Sequence, residues 1–167
     1  MILRKDIKKY IKDDANLQEK LYMFSELPFL VPRGKYDLTV YQKFFKLHGH
    51  TYNYSIKFAN INKCFMLPMP DKTNLVFVIG YKKPILQGRT HYSYMLIQFK
   101  LKQQVIIEAL MKGAKLKAVA EELQDEYTGV MYEIFMQVFK VISKNGIVLP
   151  DPEFKTTKND NGIPCSV

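Results

Sequence analysis

The chain has 167 residues and a mass of 19.6 kDa, enough for one ordinary domain or two small ones. With 47% hydrophobic and 25% charged residues a folded core is expected and wholesale disorder is excluded. The longest apolar run, residues 75–79, falls far short of the roughly 18 residues that span a bilayer. The formal charge of +9 is unevenly spread: residues 1–100 carry 17 basic and 7 acidic residues, residues 101–167 carry 8 and 9.

The chain turns charged at Arg4-Lys5-Asp6, so no hydrophobic secretion signal is read there, and two cysteines, Cys64 and Cys165, make no disulfide framework. A reducing, cytoplasmic placement follows as the expectation. Leu3, Ile7, Tyr10, Leu17, Leu21 and Phe24 alternate at spacings of four and three once the polar Asp14 slot is counted. That pattern predicts a helix of about six turns, ended by Pro28 and Pro32 and followed by a basic turn at Arg33-Gly34-Lys35.

Residues 36–99 read as strands. Tyr52, Tyr54, Ile56 and Phe58 alternate with Thr51, Asn53, Ser55 and Lys57, the period of a half-buried strand. Tyr36, Leu38 and Val40 predict an earlier strand, and residues 64–67 a short one. Residues 75–81 and 92–99 predict a pair joined by a long basic loop over 82–91. From Gln103 the pattern reads as three helices: one around Val105–Leu110, one around Leu116–Leu123, and one that Thr128 caps and Asn145-Gly146 ends. Together these elements predict an α+β fold with an N-terminal helix, an antiparallel sheet of about five strands and a C-terminal three-helix segment. They divide the chain into a basic part over 1–100, a helical part over 101–150 and an extended tail over 151–167.

Three residue patterns point to chemistry. Residues 110–116 and the two helices after them, with Ala120 where close packing wants a small side chain, resemble a helix-turn-helix. Within that class residues 103–145 are nearest the C subunit of the bacterial flagellar master activator and its relatives on conjugative elements. The resemblance implies a DNA-binding transcription regulator. The helix from Thr128 nevertheless carries no Arg or Lys in its first three turns, and its apolar residues run nearly all round it, as in a buried central helix or a homodimer contact over 128–144.

Second, Leu47-His48-Gly49-His50-Thr51-Tyr52 is similar to the zinc motif of the 6-pyruvoyl-tetrahydropterin synthase family, which implies a zinc-dependent small-molecule enzyme around His48 and His50. The upstream histidine and the cysteine of that family have no counterpart, and His91 is the one further histidine. Third, Pro70-Asp71, a strand and Tyr81-Lys82 loosely follow a two-acid nuclease pattern, but Gly80 stands near the place of the second carboxylate.

Within residues 31–100 eleven Lys and Arg face only Asp37 and Asp71, and thirteen aromatics are interleaved with them. That mixture suits a polyanion with stackable bases. The sequence therefore predicts a nucleic-acid-binding protein, DNA favoured over RNA, and the many Lys, Asn, Ile and Tyr suggest a bacterial, plasmid or phage source. Its contacts fall on Arg33, Lys35, Lys43, Lys46, Lys82, Lys83 and Arg89. No cofactor, no catalytic residue, no metal and no membrane partner are expected. A protein–protein adaptor that uses the same aromatic and Met-rich surface is the alternative.

Overall fold

A computed structural model describes residues 19–151 and residue 153. Ten strands and two α-helices follow in the order β1 (Tyr22–Val31), β2 (Gly34–Val40), β3 (Phe44–Gly49), β4 (Asn53–Lys57), a 3-10 turn (Phe58–Asn60), β5 (Ile61–Pro68), β6 (Asn74–Gln87), β7 (Thr90–Lys100), β8 (Gln104–Glu108), α1 (Ala114–Val119), β9 (Glu126–Val130), α2 (Met131–Ser143) and β10 (Ile147–Val148). Eight of the strands form one sheet in the order β10-β5-β6-β7-β1-β2-β3-β4, antiparallel except where β10 runs parallel to β5. Strands β8 and β9 form a separate antiparallel ribbon. The molecule is therefore mostly β, which overturns the predicted α+β class with its five strands and three C-terminal helices.

Most of the helix predicted over residues 3–24 lies outside the described residues, as does most of the tail. Its last part is strand. In β1 Tyr22, Phe24, Leu27 and Phe29 are buried while Met23, Ser25 and Pro28 are exposed. The three-residue step from Phe24 to Leu27, which imitates a helical spacing, is a β-alternation with one residue inserted. Phe24 faces Leu38 and Leu27 faces Tyr36, so β1 spends three residues where β2 spends two. Glu26 takes up the excess in the left-handed region at φ 51°, and its N–H donates to Asp37 Oδ1 at 2.7 Å. Pro28, expected to end a helix, lies within the strand opposite Lys35.

The long loop predicted over 82–91 is also strand. Gln87 pairs with Thr90 across a turn at Gly88-Arg89, and Gly88 has the positive φ of 60° that such a tight turn needs. Between Gly80 and Ile85 the pairing with β7 slips, so Tyr81–Pro84 bulge out of the ladder. There Asn60 Nδ2 donates to the Lys83 carbonyl and the Lys83 N–H donates to Asn60 Oδ1, both at 3.0 Å. Lys82 Nζ adds a bond to the Ala59 carbonyl at 3.0 Å.

Of the three helices predicted after Gln103 the first is replaced by a strand, and the third begins only after its predicted cap. Residues 104–108 and 126–130 pair with each other, and Thr128, the expected helix cap, lies opposite Ile106 in that ribbon. Only α1, six residues long, and α2 are helical here. The end of α2 falls within a residue of its predicted stop, with Lys144 in the left-handed cap position. The Leu110 N–H donates to the Leu21 carbonyl and the Tyr22 hydroxyl to the Gln124 carbonyl, tying the ribbon to β1.

Helix α2 buries Met131, Ile134, Phe135, Val138, Phe139 and Ile142 against the sheet. Phe135 and Phe139 stack on each other at 5.5 Å between ring centroids. Phe135 also meets Phe24 at 5.1 Å, Phe77 at 5.2 Å and Phe99 at 5.0 Å. Phe139 meets Phe45, Phe58 and Phe77 at 6.0, 5.7 and 5.2 Å. The apolar residues that suggested a homodimer are thus consumed inside the chain, and Glu133, Gln137 and Lys140 form the exposed side of α2. The same burial removes α2 as a DNA-reading helix. Cys64 is fully buried, and burial pushes its thiol up to about 12.

Truncating the shared ring makes a cavity that neighbours from both halves of the sheet cannot close. Phe135→Ala is expected to cost about 3–5 kcal/mol, and Phe139→Ala a similar amount, measured by urea unfolding.

Candidate functional site

Antiparallel neighbours alternate the ends at which they are joined. Tyr36 pairs with Gly49, so the β1–β2 and β3–β4 turns share an end. Val31 pairs with Leu96 and Phe29 with Ile97, so β1 runs toward the start of β7 and the β6–β7 turn lies at that end as well. Arg33 and Lys35 of the first hairpin and Arg89 of the last thus lie toward the same end of the sheet, as do His48, His50 and His91. The other four predicted contacts lie elsewhere. Lys43 sits in the β2–β3 turn at the opposite end, and Lys46 lies along β3 with its Nζ 5.6 Å from the Tyr41 ring centroid and 5.7 Å from that of Phe44. Lys82 and Lys83 occupy the β6 bulge, where Lys82 is held by Ala59 and Lys83 by Asn60.

The floor of the loop end is aromatic. Tyr36 packs against Phe29 at 4.9 Å and Tyr54 at 6.0 Å. Burial raises the Tyr36 and Tyr54 phenols above their ordinary value, and the neighbouring phenols of Tyr52 and Tyr92 add to that rise in both. These four tyrosines, from β2, β4, β7 and the turn before β4, bring their phenols close to one another at this end of the sheet. Sequence reading saw each as one of many aromatics. The signal that they converge was the period-two spacing of Tyr52 and Tyr54, but nothing in the sequence places Tyr36 or Tyr92 beside them.

The glycine of His48-Gly49-His50 has a packing explanation. A Cβ at Gly49 would lie 2.5 Å from Tyr36 Cε1 and 2.7 Å from the Tyr52 carbonyl oxygen, so a hydrogen is all that fits under the ring. His48 and His50 are exposed to either side. Among the described residues no three His, Cys, Asp or Glu side chains gather to hold a metal ion, so the zinc-enzyme reading loses its ligand set. Asp71 of the nuclease-like pattern is a turn residue. Its carboxylate accepts from Asn74 Nδ2 at 2.7 Å, from the Thr73 N–H at 2.9 Å and from the Asn74 N–H at 3.0 Å, bonds that hold its pKa below the usual value. Gly80 lies beneath the ring of its cross-strand neighbour Tyr94, 3.2 Å from where a Cβ would stand.

The sequence that folds into this sheet, ribbon and C-terminal helix also matches a known family. The model of the SSRP1 PH domain, termed PH1_SSRP1-like, covers residues 19–147. The chain belongs to the SSRP1-like PH domain family. Among similar proteins, the FACT complex subunit pob3 of Emericella nidulans is 30% identical over 145 residues, covering 86% of this chain and 25% of that protein. The FACT complex subunit pob3 of Schizosaccharomyces pombe is 31% identical over 149 residues, covering 89% and 29%. The FACT complex subunit SSRP1 of Dictyostelium discoideum is 29% identical over 153 residues, covering 92% and 29%. This PH domain thus spans between a quarter and three-tenths of the length of those relatives.

Membership in this family replaces the resemblance to the flagellar master activator and its conjugative-element relatives, and with it the helix-turn-helix regulator of bacterial, plasmid or phage origin. The forty residues behind that resemblance are a ribbon, a short helix and a core helix. Among the described residues no helix is long and apolar enough to cross a membrane.

Because the Tyr36 ring seals Gly49, Gly49→Ala is expected to destabilise the PH domain by about 1–3 kcal/mol, measured by thermal unfolding. Tyr36→Ala combined with Gly49→Ala should show less than the sum of the two single losses, since the first change removes the atoms that the second collides with.

Proposed function

We propose that this chain is the PH module of a FACT complex subunit, a histone chaperone component that works on chromatin in the nucleus rather than in the cytoplasm. In this reading the module meets chromatin through DNA phosphates. Arg33, Lys35 and Arg89 make the central contacts at the loop end, and Lys43, Lys46, Lys82 and Lys83 belong to the wider basic surface that draws DNA in. Histones and the other subunits of the complex are the protein partners.

The observation that carries this is the unneutralised charge. Between residues 31 and 100 eleven Lys and Arg are set against Asp37 and Asp71, and those two acids are occupied in the β1 bulge and the β5–β6 turn. The ion pairs among the described residues are Lys112–Glu108 and Lys115–Glu19, and none of the seven basic residues named above takes part in one. A surface of this kind attracts the phosphate backbone. The neutral tyrosines at this end of the sheet give the loops a rigid base without adding negative charge.

Fluorescence anisotropy with labelled duplex DNA and with reconstituted nucleosomes, at about 50 and 200 mM salt, tests this. The Arg33→Glu, Lys35→Glu, Arg89→Glu variant should bind duplex DNA at least tenfold more weakly at the lower salt. The slope of log K against log salt should fall by roughly 2 to 3, about 0.9 per lost phosphate contact. Unchanged affinity and slope would remove the loop end from the interface.

A further inference from the structure

A second basic feature lies at the other end of β6. The β5–β6 turn and the β7–β8 connection border an open hollow of about 660 Å³ lined by Lys72, Thr73, Asn74, Lys100, Lys102 and Gln103, with Leu101 as the one apolar member. Its walls are fixed by the backbone. Asn74 and Lys100 are register partners at the start of β6 and the end of β7, and the Leu101 N–H donates to the Thr73 carbonyl at 3.0 Å. The Gln103 carbonyl accepts from the N–H of Met131, the first residue of α2, at 2.9 Å. The fourteen residues of β6 separate this cavity from the Gly88-Arg89 turn, so it is not part of the loop end.

Three exposed lysines contribute to the lining, and no acid does. The neighbouring carboxylate, Asp71, is turned into its own turn by three hydrogen bonds. Three cations around one concavity repel each other, a cost that a bound anion relieves. The lining also states which anion. Lysine offers a compact point charge suited to single phosphate groups, whereas arginine would offer the flat fork that grips carboxylates in pairs. Thr73, Asn74 and Gln103 supply neutral donors. No aromatic ring lines the cavity, so a nucleobase has nothing to stack on. Its volume falls in the range of small-ligand sites, roughly 300–1,000 Å³.

We propose that Lys72, Lys100 and Lys102 form a binding site for a linear triphosphate, an anion that sets several phosphate charges side by side. The shared chemistry is the triphosphate itself, whether free as inorganic polyphosphate or carried by a nucleotide. The site is separate from the DNA-facing loop end and does not depend on it.

Isothermal titration calorimetry of the full chain at about 150 mM salt, a strength that screens loose surface attraction, tests the proposal with sodium tripolyphosphate and with ATP as probes. One saturable site is expected for tripolyphosphate, weakened at least tenfold in the Lys72→Gln, Lys100→Gln, Lys102→Gln variant and unchanged within twofold in Arg33→Gln, Arg89→Gln. ATP should bind no more tightly than tripolyphosphate; a markedly tighter ATP would mean that the base is recognised and would overturn the unstacked site drawn here. Equal losses in both variants, or no saturable binding, would also overturn it. Amide shifts on titrating the unaltered chain with tripolyphosphate give a readout free of any variant's folding. They should centre on Thr73, Leu101, Lys102 and Gln103, and shifts centred on the loop end instead would place the anion elsewhere.

Discussion

The fold depends on two phenylalanines one helical turn apart. Phe135 and Phe139 touch Phe24 and Phe45 from one half of the sheet, Phe77 and Phe99 from the other, and Phe58 from the 3-10 turn between them in sequence. A single sheet of eight strands is too strongly twisted to stay flat, and its two halves bend toward one another. The helix fills the space between them, and each fully buried ring contributes about 2–3 kcal/mol beyond what it would gain exposed. Edge-to-face geometry adds direction to that burial, because rings at these angles resist sliding. The placement of the loops at both ends of the sheet follows from where this aromatic wedge holds the two halves.

How much of this the sequence disclosed depends on how local the cause was. The alternation over residues 52–58 is a property of adjacent residues, and β4 appears within it. The stop of α2 near Asn145 was legible for the same reason, as was its buried character. Strand β1 was not, because the inserted Glu26 turns an alternating pattern into a spacing of three, and the compensating bond comes from Asp37 on the next strand. The ribbon was misread because Val105 and Ile107, Tyr127 and Gly129 are strand partners whose pairing spans about twenty residues of sequence. Charge was legible in amount but not in place. The seven basic residues came from one basic stretch, yet strand direction sends Arg33, Lys35 and Arg89 to one end and Lys43 to the other. Lys100 and Lys102 belong with Lys72 through a cross-strand register that no linear reading contains.

The same contrast separates scaffold from surface in this PH domain. Its core is aromatic and fixed, and Asp37 and Asp71 are committed to a bulge and a turn. Among the described residues the ion pairs are confined to the neighbourhood of the ribbon, where Glu108 and Glu19 each meet a lysine. Positive charge is therefore spread over the large sheet and its turns, while the inserted ribbon and helix α1 carry a more balanced mixture. One small domain can present two differently shaped cationic surfaces, a loop end and a concave hollow, because the sheet keeps them apart.

The clasp between Asn60 and Lys83 has a consequence for how chains of this shape can vary in length. One side-chain amide gives and takes a bond with the N–H and C=O of a single residue, as a neighbouring strand would. It pins the short crossover between β4 and β5 to the bulge of β6 at a fixed register, with Lys82 and Ala59 repeating the link one residue earlier. An insertion or deletion on either side would pull the amide out of line with its partner and break both bonds at once. Changes in length are better absorbed at Gly88-Arg89, where a longer chain displaces only solvent.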